Sequence, residues 1–310
     1  MASETGLRLG EISTGSQSAR PIELESRTVT TPVAFFIFNR PTLTEKVFSR
    51  IAQAKPPVLL VVADGPRSEE EATRCEETRR IIDRVDWECR VFEEFSDRNL
   101  GCKTRISSGL DWVFSRVEEA IILEDDCLPA PTFFTFCQEL LKHYRDDERV
   151  FLISGDNFQF GQSRIRYSYY FSKYAHCWGW ASWKRAWKHF DVTMSSWPEF
   201  KSSGCIKSIC EDPVEQEYWS NIFDQCYTGK INSWAYIWAY TCWSQSGLTI
   251  LPDVNLVSNI GFGTDATHTG DLASPLASLS TGDLGKIKHP KQVVRNAEAD
   301  AYTFATVFQR

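Results

Sequence analysis

Residues 120–131 read Ala-Ile-Ile-Leu-Glu-Asp-Asp-Cys-Leu-Pro-Ala-Pro. An apolar run leads directly into three consecutive carboxylates, and prolines follow them. The apolar run predicts a strand buried on both faces, as in a mostly parallel sheet, and the prolines predict that the regular element ends there. Glu124, Asp125 and Asp126 are therefore expected at the carboxyl end of a strand, where open α/β sheets bind their ligands.

Three adjacent carboxylates repel one another. A pair about 4 Å apart repels by roughly 4 kcal/mol at an effective dielectric constant near 20. Such a cluster takes up protons, spreads into solvent or binds a cation. Hard oxygen ligands at a strand end suit Mg²⁺ or Mn²⁺, which also hold phosphate groups. We favour a metal site over the alternative reading, an acidic turn at the surface.

Composition excludes several classes of protein. A net charge of −7 argues against a nucleic-acid surface, and no apolar run reaches the ~20 residues that span a bilayer. The first thirty residues contain no hydrophobic segment of the kind found in a secretory signal. None of the ten cysteines forms a Cys-x-x-Cys pair, so we expect reduced thiols in a cytosolic protein rather than structural zinc. Peripheral contact with a membrane stays open.

Apolar runs and helical periodicities alternate through the first half of the chain. Strands are predicted at residues 33–38, 58–63, 90–95, 120–123 and 150–154, with amphipathic or charged helical segments between them. This alternation predicts an α/β fold with a mostly parallel sheet and helices on both of its faces.

The character of the sequence changes after residue 155. Nine of the eleven tryptophans lie between Trp178 and Trp243, and the strand–helix alternation gives way to aromatic, less regular sequence. We therefore predict four parts: a disordered leader (1–30), a ligand-binding α/β half (31–155), an aromatic-rich half (156–270) and a C-terminal tail (271–310).

Polar residues also follow the first two predicted strands. Arg40 comes after the first strand and Asp64 after the second. Because the carboxyl ends of parallel strands meet at one edge of a sheet, both should lie near the acidic cluster. Taken singly, each is more often a surface turn residue, but together they could hold a nucleoside diphosphate. No Gly-x-Gly-x-x-Gly and no Walker loop is present, which argues against dinucleotide cofactors and ATP-driven chemistry.

At this point the sequence resembles a known family, the nucleotide-sugar glycosyltransferases of the GT-A fold. It is most similar to the N-acetylglucosaminyltransferase I type and its bacterial relatives. The resemblance extends over roughly residues 32–270. The stretches that carry it are Pro-Val-Ala-Phe-Phe-Ile-Phe-Asn-Arg-Pro (32–41), Val-Ala-Asp-Gly (62–65), Ile-Leu-Glu-Asp-Asp-Cys-Leu-Pro-Ala-Pro (122–131), Ser-Gly-Asp-Asn (154–157), Cys-Trp-Gly-Trp (177–180) and Leu-Pro-Asp-Val-Asn-Leu-Val-Ser-Asn-Ile-Gly (251–261).

The resemblance implies that the chain binds a UDP-sugar or a similar nucleotide-sugar together with Mn²⁺ or Mg²⁺. By position, Asp126 matches the metal ligand, and Glu124 and Asp125 would face the sugar and the ribose. Arg40 and Asp64 match the residues that hold the base.

Two further regions would complete the donor site. Lys103 and Arg105 are candidates for contacts with the diphosphate. His268 would close over the site as a second metal ligand or a phosphate contact, although a lone histidine in a loop is more often a surface residue.

Inverting transfer needs a general base that removes the proton of the acceptor hydroxyl. Enzymes of this type carry an aspartate flanked by tryptophan in the second half of the chain. The matching stretch here, residues 233–238, reads Ser-Trp-Ala-Tyr-Ile-Trp, with Ala235 at the position of the acid. Glu217, Asp224 and Asp156 are the candidate substitutes.

The acceptor site is predicted around Trp178, Gly179 and Trp180, since indole faces stack on sugars and the indole N–H donates to hydroxyl groups. The competing reading is core packing, because Trp180, Trp183 and Trp187 have the i, i+3, i+7 spacing of one helix face.

The sequence thus predicts a glycosyltransferase, hexosyl- or N-acetylhexosaminyltransferase, that acts in the cytosol in polysaccharide biosynthesis. It would move a sugar from a nucleotide donor to a hydroxyl group of a glycan or glycoconjugate, with inversion. The alternatives are a non-catalytic or weakly active sugar-nucleotide-binding relative, which Ala235 favours, and a sugar nucleotidyltransferase. The latter normally needs a Gly-rich phosphate loop after the first strand, which Asn39, Arg40 and Pro41 do not supply.

Overall fold

Ten strands form the framework of the part of the chain that the structure describes. The structure, a computed structural model, describes residues 29–263, 274–277 and 279–309. The strands are β1 (Val33–Ile37), β2 (Val58–Ala63), β3 (Arg90–Phe95), β4 (Glu119–Glu124), β5 (Cys127–Pro129), β6 (Val150–Ser154), β7 (Tyr169–Ser172), β8 (Trp180–Trp183), β9 (Leu248–Pro252) and β10 (Val257–Asn259). Eight of them form one sheet in the order β3-β2-β1-β4-β8-β6-β9-β7, and β5 pairs with β10.

Most strands of the large sheet run in one direction. β1 pairs in parallel with β2 and β4, and β2 pairs in parallel with β3. β8 lies antiparallel between β4 and β6, β9 is parallel to β6, and β7 is antiparallel at the edge. β1, β2 and the interior of β4 (residues 120–123) are uninterrupted apolar runs, which suits strands that are buried on both faces.

Helices connect the strands and cover the sheet. They are α1 (Pro41–Ala54), α2 (Glu69–Arg80), α3 (Cys102–Arg116), α4 (Pro131–His143), α5 (Lys184–Trp187), α6 (Trp197–Ser202), α7 (Ile206–Ile209), α8 (Pro213–Tyr227), α9 (Trp234–Ser244) and α10 (Ala297–Thr303). Among the described residues, no helix combines the length and the apolar character needed to cross a membrane.

Two apolar cores lie on opposite faces of the sheet. Alternate residues of β1 point to different cores, with Phe35 in one and Phe36 in the other. Residues of α1 and α4 fill the first core, and residues of α3, α8 and α9 fill the second. The predicted α/β fold, a mostly parallel sheet with helices on both faces, is confirmed.

The tryptophans at 180, 183 and 187 are buried in the core, as the competing reading expected, but the prediction that they share one helix face was wrong. Trp180 and Trp183 are the first and last residues of β8, and they belong to opposite cores. Trp187 ends the short helix α5. Pairing of β8 with both β4 and β6 decides the outcome, because it satisfies the backbone hydrogen bonds of this segment on both sides.

The large sheet runs through both predicted halves of the chain. β1 to β4 belong to residues 31–155, whereas β7, β8 and β9 belong to residues 156–270. The functional division at residue 155 stays a prediction. Most of the predicted leader, residues 1–28, lies outside the described residues.

Part of the predicted C-terminal tail is helical and packs against the sheet. Asp300 of α10 accepts a hydrogen bond from Ser172 Oγ at 2.5 Å and another from the backbone N–H of Lys173 at 3.3 Å. The Lys173 Nζ lies 2.7 Å from Glu215 of α8, and both side chains are 6% exposed. Tyr174 also donates to Glu215. A buried polar network thus joins α10, the end of β7 and α8.

Removing the charge of Glu215 should destabilise the fold. Glu215→Gln leaves the Lys173 ammonium buried without its counter-ion, which costs about 3 kcal/mol or more in the free energy of unfolding. Urea denaturation measures this loss. Glu211→Gln is the matched control, because Glu211 is 86% exposed and lies 3.6 Å from Arg295. Glu211→Gln should change the free energy of unfolding by less than about 0.5 kcal/mol. Equal effects of the two substitutions would contradict the assignment of Glu215 as the buried counter-ion of Lys173.

Candidate active site

Three carboxylates lie at the carboxyl end of β4. The pairing of β1 with β4 puts Phe36 beside Glu124, so the segments that follow these two strands leave the sheet together. Asp125 is only 2% exposed, the side chain of Asp126 is 14% exposed, and Glu124 is half-buried. The cluster therefore lies at the rim of the sheet and not free in solvent.

Arg40 is the cation that contacts this cluster. Its Nε donates to Asp125 Oδ2 at 3.3 Å, and its Nη2 pairs with Asp125 Oδ1. Its Nη1 lies 3.0 Å from Asp126 Oδ2. A guanidinium group presents its N–H donors in a fixed fork that matches carboxylates. Pro41, the first residue of α1, keeps Arg40 on the turn after β1, within reach of both acids.

One arginine does not balance three carboxylates. Burial, together with the charges of Asp126 and Asp125, raises the pKa of Glu124 to about 8. Burial also raises the pKa of Asp125 to about 6, although Arg40 opposes the rise. The pKa of Arg40 would fall on burial, but Asp125 and Asp126 hold it above its ordinary value. The cluster can therefore accept more positive charge.

Asp64, at the end of β2, is saturated with hydrogen bonds. Its Oδ1 accepts from the N–H groups of Gly65 and Leu100, each at 2.9 Å. Its Oδ2 accepts from Gly101 N–H at 3.0 Å and from Asn99 Nδ2 at 3.1 Å. Two carboxylate oxygens accept about four hydrogen bonds. Asp64 therefore fixes the loop that leads into α3, and its predicted contact with the base would require replacing one of these donors.

The first turn of α3 lies beside the carboxylates. The helix begins at Cys102, after Gly101, whose φ of +79° suits glycine. Asp64, at the carboxyl end of β2, accepts the Gly101 N–H at 3.0 Å, so this turn starts at the same edge of the sheet as the cluster. Burial and the charges of Glu124 and Asp126 raise the pKa of the Cys102 thiol to about 12. N–H groups in the first turn of a helix have no partner within the helix and attract anions such as phosphates.

The two basic residues predicted to contact a diphosphate have different surroundings. Lys103 lies in the first turn of α3 and is half-exposed, so its ammonium can reach a ligand there. Arg105 is 6% exposed and donates to the backbone carbonyl of Glu94 at the end of β3. Its contacts indicate an anchor between α3 and β3 and not a ligand contact.

The segment after β10 covers Asp126. β10 pairs antiparallel with β5, and the next residue, Ile260, donates its N–H to the carbonyl of Asp126 at 2.8 Å. Gly261 packs so closely that a methyl group there would clash with the Asp126 carboxylate. The prolines predict that regular structure ends in this stretch, but the short strand β5 forms because β10 is available to pair with it.

A cavity of about 470 Å³ has Arg40 in its lining. It is lined by Arg40, Arg74, the first residues of α1 and residues 260–263. Its charged lining among the described residues is entirely basic, which suits an anionic ligand. Arg74 was missed by the sequence analysis because it is one of several charged residues on α2 and no local motif distinguishes it.

The residues predicted to bind the acceptor fall into two environments. Trp178 is half-buried and packs edge-to-face with Phe158 at 5.2 Å and with Phe262 at 5.7 Å between ring centroids. Gly179 has a φ of +65° and lies against Val257. Trp180 is 1% exposed and packs between α9 tryptophans in the core, so the competing reading describes its position.

The three candidate bases are engaged to different extents. Asp156 is 1% exposed, accepts from Trp178 N–H at 3.2 Å and lies 2.7 Å from His176 Nδ1. Asp224 accepts from Trp197 Nε1 at 3.0 Å and from Lys201 at 2.6 Å. Glu217 is exposed on α8 and has no hydrogen bond or ion pair to another described residue.

His176 was also missed by the sequence analysis. Its ring stacks on Phe158 with centroids 4.4 Å apart, and its Nε2 is buried without a hydrogen-bond partner among the described residues. Asp156 and His176 are twenty positions apart, and only the approach of the segments after β6 and before β8 pairs them. No spacing rule in the sequence signals that contact.

The metal prediction rests on Asp126, because His268 lies outside the described residues. Within residues 29–263, 274–277 and 279–309, no three His, Cys, Asp or Glu side chains are grouped as a metal site. Asp126 still offers hard oxygen atoms next to Glu124, in a cluster with surplus negative charge. This donor set fits one Mn²⁺ or Mg²⁺ whose remaining ligands come from phosphate oxygens and water.

Comparisons with known proteins found no family model and no curated protein that matches the chain. Some solved structures resemble part of it. A mannosyltransferase from Pyrobaculum calidifontis, in complex with GDP-Man and Mn²⁺, is 15% identical over 54% of this chain and 48% of its own, with a TM-score of 0.36. The chain thus matches about half the length of that protein.

Two other structures are similar at the same level. The galactosyltransferase LgtC, in complex with donor and acceptor sugar analogues, is 11% identical over 58% of this chain and 66% of its own, with a TM-score of 0.31. A cytidylyltransferase from Leptospira borgpetersenii is 11% identical over 66% of this chain and 74% of its own, with a TM-score of 0.32. Likenesses this weak assign neither a family nor an activity, so the function is argued from the site.

Neutralising Glu124 should change how stability depends on pH. A carboxyl whose pKa is raised on folding binds its proton more tightly in the folded state, so the folded state loses stability as pH rises from 4.5 through about 8. Without added metal, Glu124→Gln should therefore raise the free energy of unfolding at pH 8 by about 1–2 kcal/mol, and by much less at pH 4.5.

Urea denaturation at the two pH values measures the effect of Glu124→Gln. Asp83→Asn, at an exposed position in the turn after α2, is the control and should change stability equally at both pH values. A Glu124→Gln variant that is no more stable than the wild-type protein at pH 8 would contradict the inferred repulsion among the three carboxylates.

Proposed function

We propose that this chain is a glycosyltransferase that binds a nucleotide-diphosphate sugar, with UDP-sugars the first candidates, at the carboxyl edge of β1, β2 and β4. One observation carries the proposal. The fold brings Arg40, the Glu124–Asp126 cluster and the first turn of α3 to the same carboxyl edge of the sheet. Such a rim supplies hard oxygen atoms for a cation and N–H donors for phosphates. Cytosolic location and a role in polysaccharide biosynthesis stay predictions.

Asp126 would hold Mn²⁺ or Mg²⁺. When bound, the ion would supply stabilisation of the negative charge that builds up on the departing diphosphate. Lys103 and the free N–H groups of α3 would contact the same diphosphate from the protein side. Glu124 and Asp125 would face the sugar and the ribose, and Arg40 would bind the nucleotide portion.

In the transfer itself, an acceptor hydroxyl oxygen forms a bond to the anomeric carbon while the bond from that carbon to the diphosphate oxygen breaks. The nucleoside diphosphate leaves with the electron pair of the broken bond, and the hydroxyl proton passes to a base on the protein. Attack opposite to the leaving group inverts the anomeric centre. Trp178, with Phe158 and Phe262 around it, offers the aromatic surface on which an acceptor sugar would stack.

Glu217, Asp224 and Asp156 remain the proposed candidates for the base. Glu217 is exposed and keeps a free carboxylate, whereas Asp224 pairs with Lys201, and Asp156 could act only through the His176 ring that it contacts. The absence of an acid at position 235 favours one alternative, a sugar-nucleotide-binding protein with little or no transferase activity. Ala235 occupies the second position of α9.

Nucleotide binding should depend on a divalent ion and on Asp126. In calorimetric titrations with UDP, the wild-type protein should bind in the presence of Mn²⁺ and at least about tenfold more weakly after chelation, since the ion links the carboxylate to the diphosphate. Asp126→Asn should bind UDP weakly under both conditions. Asp83→Asn removes an equal charge at an exposed position away from the cluster and should behave as the wild type. UDP binding by Asp126→Asn at wild-type strength would refute the proposed site.

The activity is tested with a panel of nucleotide-sugars and Mn²⁺, by measuring which donor is hydrolysed or consumed. Turnover of none of them, with UDP still bound, would favour the non-catalytic alternative.

An acid at position 235 should increase transfer if the base is missing there. Ala235→Asp adds a carboxylate to the first turn of α9, where a negative charge also suits the helix dipole, so the fold should tolerate it. A positioned general base contributes about 10²–10⁴-fold to a rate, and part of that gain is expected in the transfer rate. Ala235→Asn is the matched control without a base, and equal rates for the two variants would point to another residue.

A further inference from the structure

Arg40 contacts one of the two carboxylate oxygen atoms through which Asp126 could bind a metal ion. That atom, Asp126 Oδ2, lies 3.0 Å from Arg40 Nη1. The same carboxylate is packed against Gly261, which closes its other side. A divalent ion at this oxygen would therefore lie within a few ångströms of a guanidinium charge, and the two cations would repel one another. The ion and the present position of Arg40 are mutually unfavourable.

Arg40 also lines a basic cavity. The basic cavity of about 470 Å³ has Arg40 on one wall and Arg74 on α2 in its lining. Arg40 thus contacts two carboxylates and also lines a space that suits an anion. A guanidinium group in this position can exchange one anionic partner for another with a change of side-chain rotamer.

The backbone on both sides of Arg40 is fixed by neighbouring contacts, whereas its side chain is partly exposed to solvent. Asn39 Nδ2 donates to Glu71 Oε1 at 2.5 Å, and Pro41 starts α1 directly after Arg40. The Arg40 side chain is 18% exposed, more than that of either acid it contacts. Rotamer changes of partly exposed side chains need no movement of the main chain and are fast.

We propose that Arg40 is an exchangeable counter-ion that couples nucleotide binding to metal binding. Without a ligand it pairs with Asp125 and Asp126. When the diphosphate of a nucleotide arrives, the guanidinium turns toward this anion and leaves Asp126 Oδ2 to the divalent ion. The inference rests on the proposed function, and it makes Arg40 a positioning residue for the metal.

Thermodynamic linkage gives the consequence of this exchange. A nucleotide that removes Arg40 from Asp126 raises the affinity for the ion, and the ion raises the affinity for the nucleotide by the same factor. Couplings of this kind are typically about 5- to 150-fold. Mn²⁺ alone should therefore bind weakly, because it has to displace Arg40 without compensation.

The test is the affinity of the full chain for Mn²⁺, measured from the electron paramagnetic resonance signal of free Mn²⁺, with and without saturating UDP. In the wild-type protein UDP should tighten Mn²⁺ binding by about tenfold or more, the same factor by which Mn²⁺ tightens UDP binding. In Arg40→Gln, Mn²⁺ alone should bind at least about fivefold more tightly than in the wild type. UDP should then tighten Mn²⁺ binding by a smaller factor than it does in the wild type. Arg40→Lys keeps the positive charge but loses the forked N–H donors of the guanidinium group. Its affinity for Mn²⁺ should lie between those of the wild type and Arg40→Gln.

Two further variants make the comparison specific. Arg84→Gln removes an equal charge from an exposed arginine that pairs with Glu45, and it should bind Mn²⁺ as the wild type does. Asp126→Asn should lose the Mn²⁺ site with and without UDP. Arg74→Gln, on the far side of the cavity, should weaken UDP binding and leave the affinity for Mn²⁺ alone unchanged.

The outcomes separate this inference from the proposed function. If Arg40→Gln and Arg84→Gln bind Mn²⁺ equally, or if UDP tightens Mn²⁺ binding by the same factor in Arg40→Gln and in the wild type, the exchange is overturned while the nucleotide site stands. UDP binding of equal strength with and without Mn²⁺ would overturn the exchange and would also contradict the metal-linked binding in the proposed function. If no variant and no wild-type sample binds UDP under any condition, the proposed function fails together with the inference.

Discussion

Repulsion among three carboxylates at the end of β4 is the constraint on which the rest of the site depends. A buried strand delivers Glu124 and its two neighbours to one rim, where they are partly removed from water. Charges in such a place need a counter-charge close by, since solvent cannot screen them. Arg40 supplies part of it, and the raised pKa values of Glu124 and Asp125 show that the compensation is incomplete.

The sheet itself explains why the counter-charge comes from Arg40. In-register parallel pairing places Phe36 beside Glu124, so the two chains leave the sheet at the same level. Asp125 follows at once on β4, and Arg40 follows a short turn after β1 that Pro41 ends. A register shift of one residue in either strand would turn the segment that follows it to the opposite face of the sheet. The apolar residues inside the two strands therefore determine the geometry of the polar residues outside them.

The sequence predicted those parts of the fold that depend on local pattern. Apolar runs located β1, β2 and β4, and the alternation with helices predicted the α/β architecture that the structure confirms. The helical spacing of Trp180 and Trp183 predicted the wrong element. Both residues lie in β8, whose backbone hydrogen bonds come from strands distant in sequence. The contact of Asp156 with His176 could not be predicted for the same reason, since it exists only after both loops have folded.

Asp64 and Glu124 show why an acid at a strand end does not by itself define a site. Both follow buried apolar runs, and the sequence analysis gave both a role with the ligand. In the structure, Asp64 accepts four hydrogen bonds from its own loops, so its charge is already stabilised by the protein. Among the described residues Glu124 has no such donors, and burial together with the charges of Asp126 and Asp125 raises its pKa. The acids that gain from binding a cation are therefore those whose charge the fold leaves without sufficient donors.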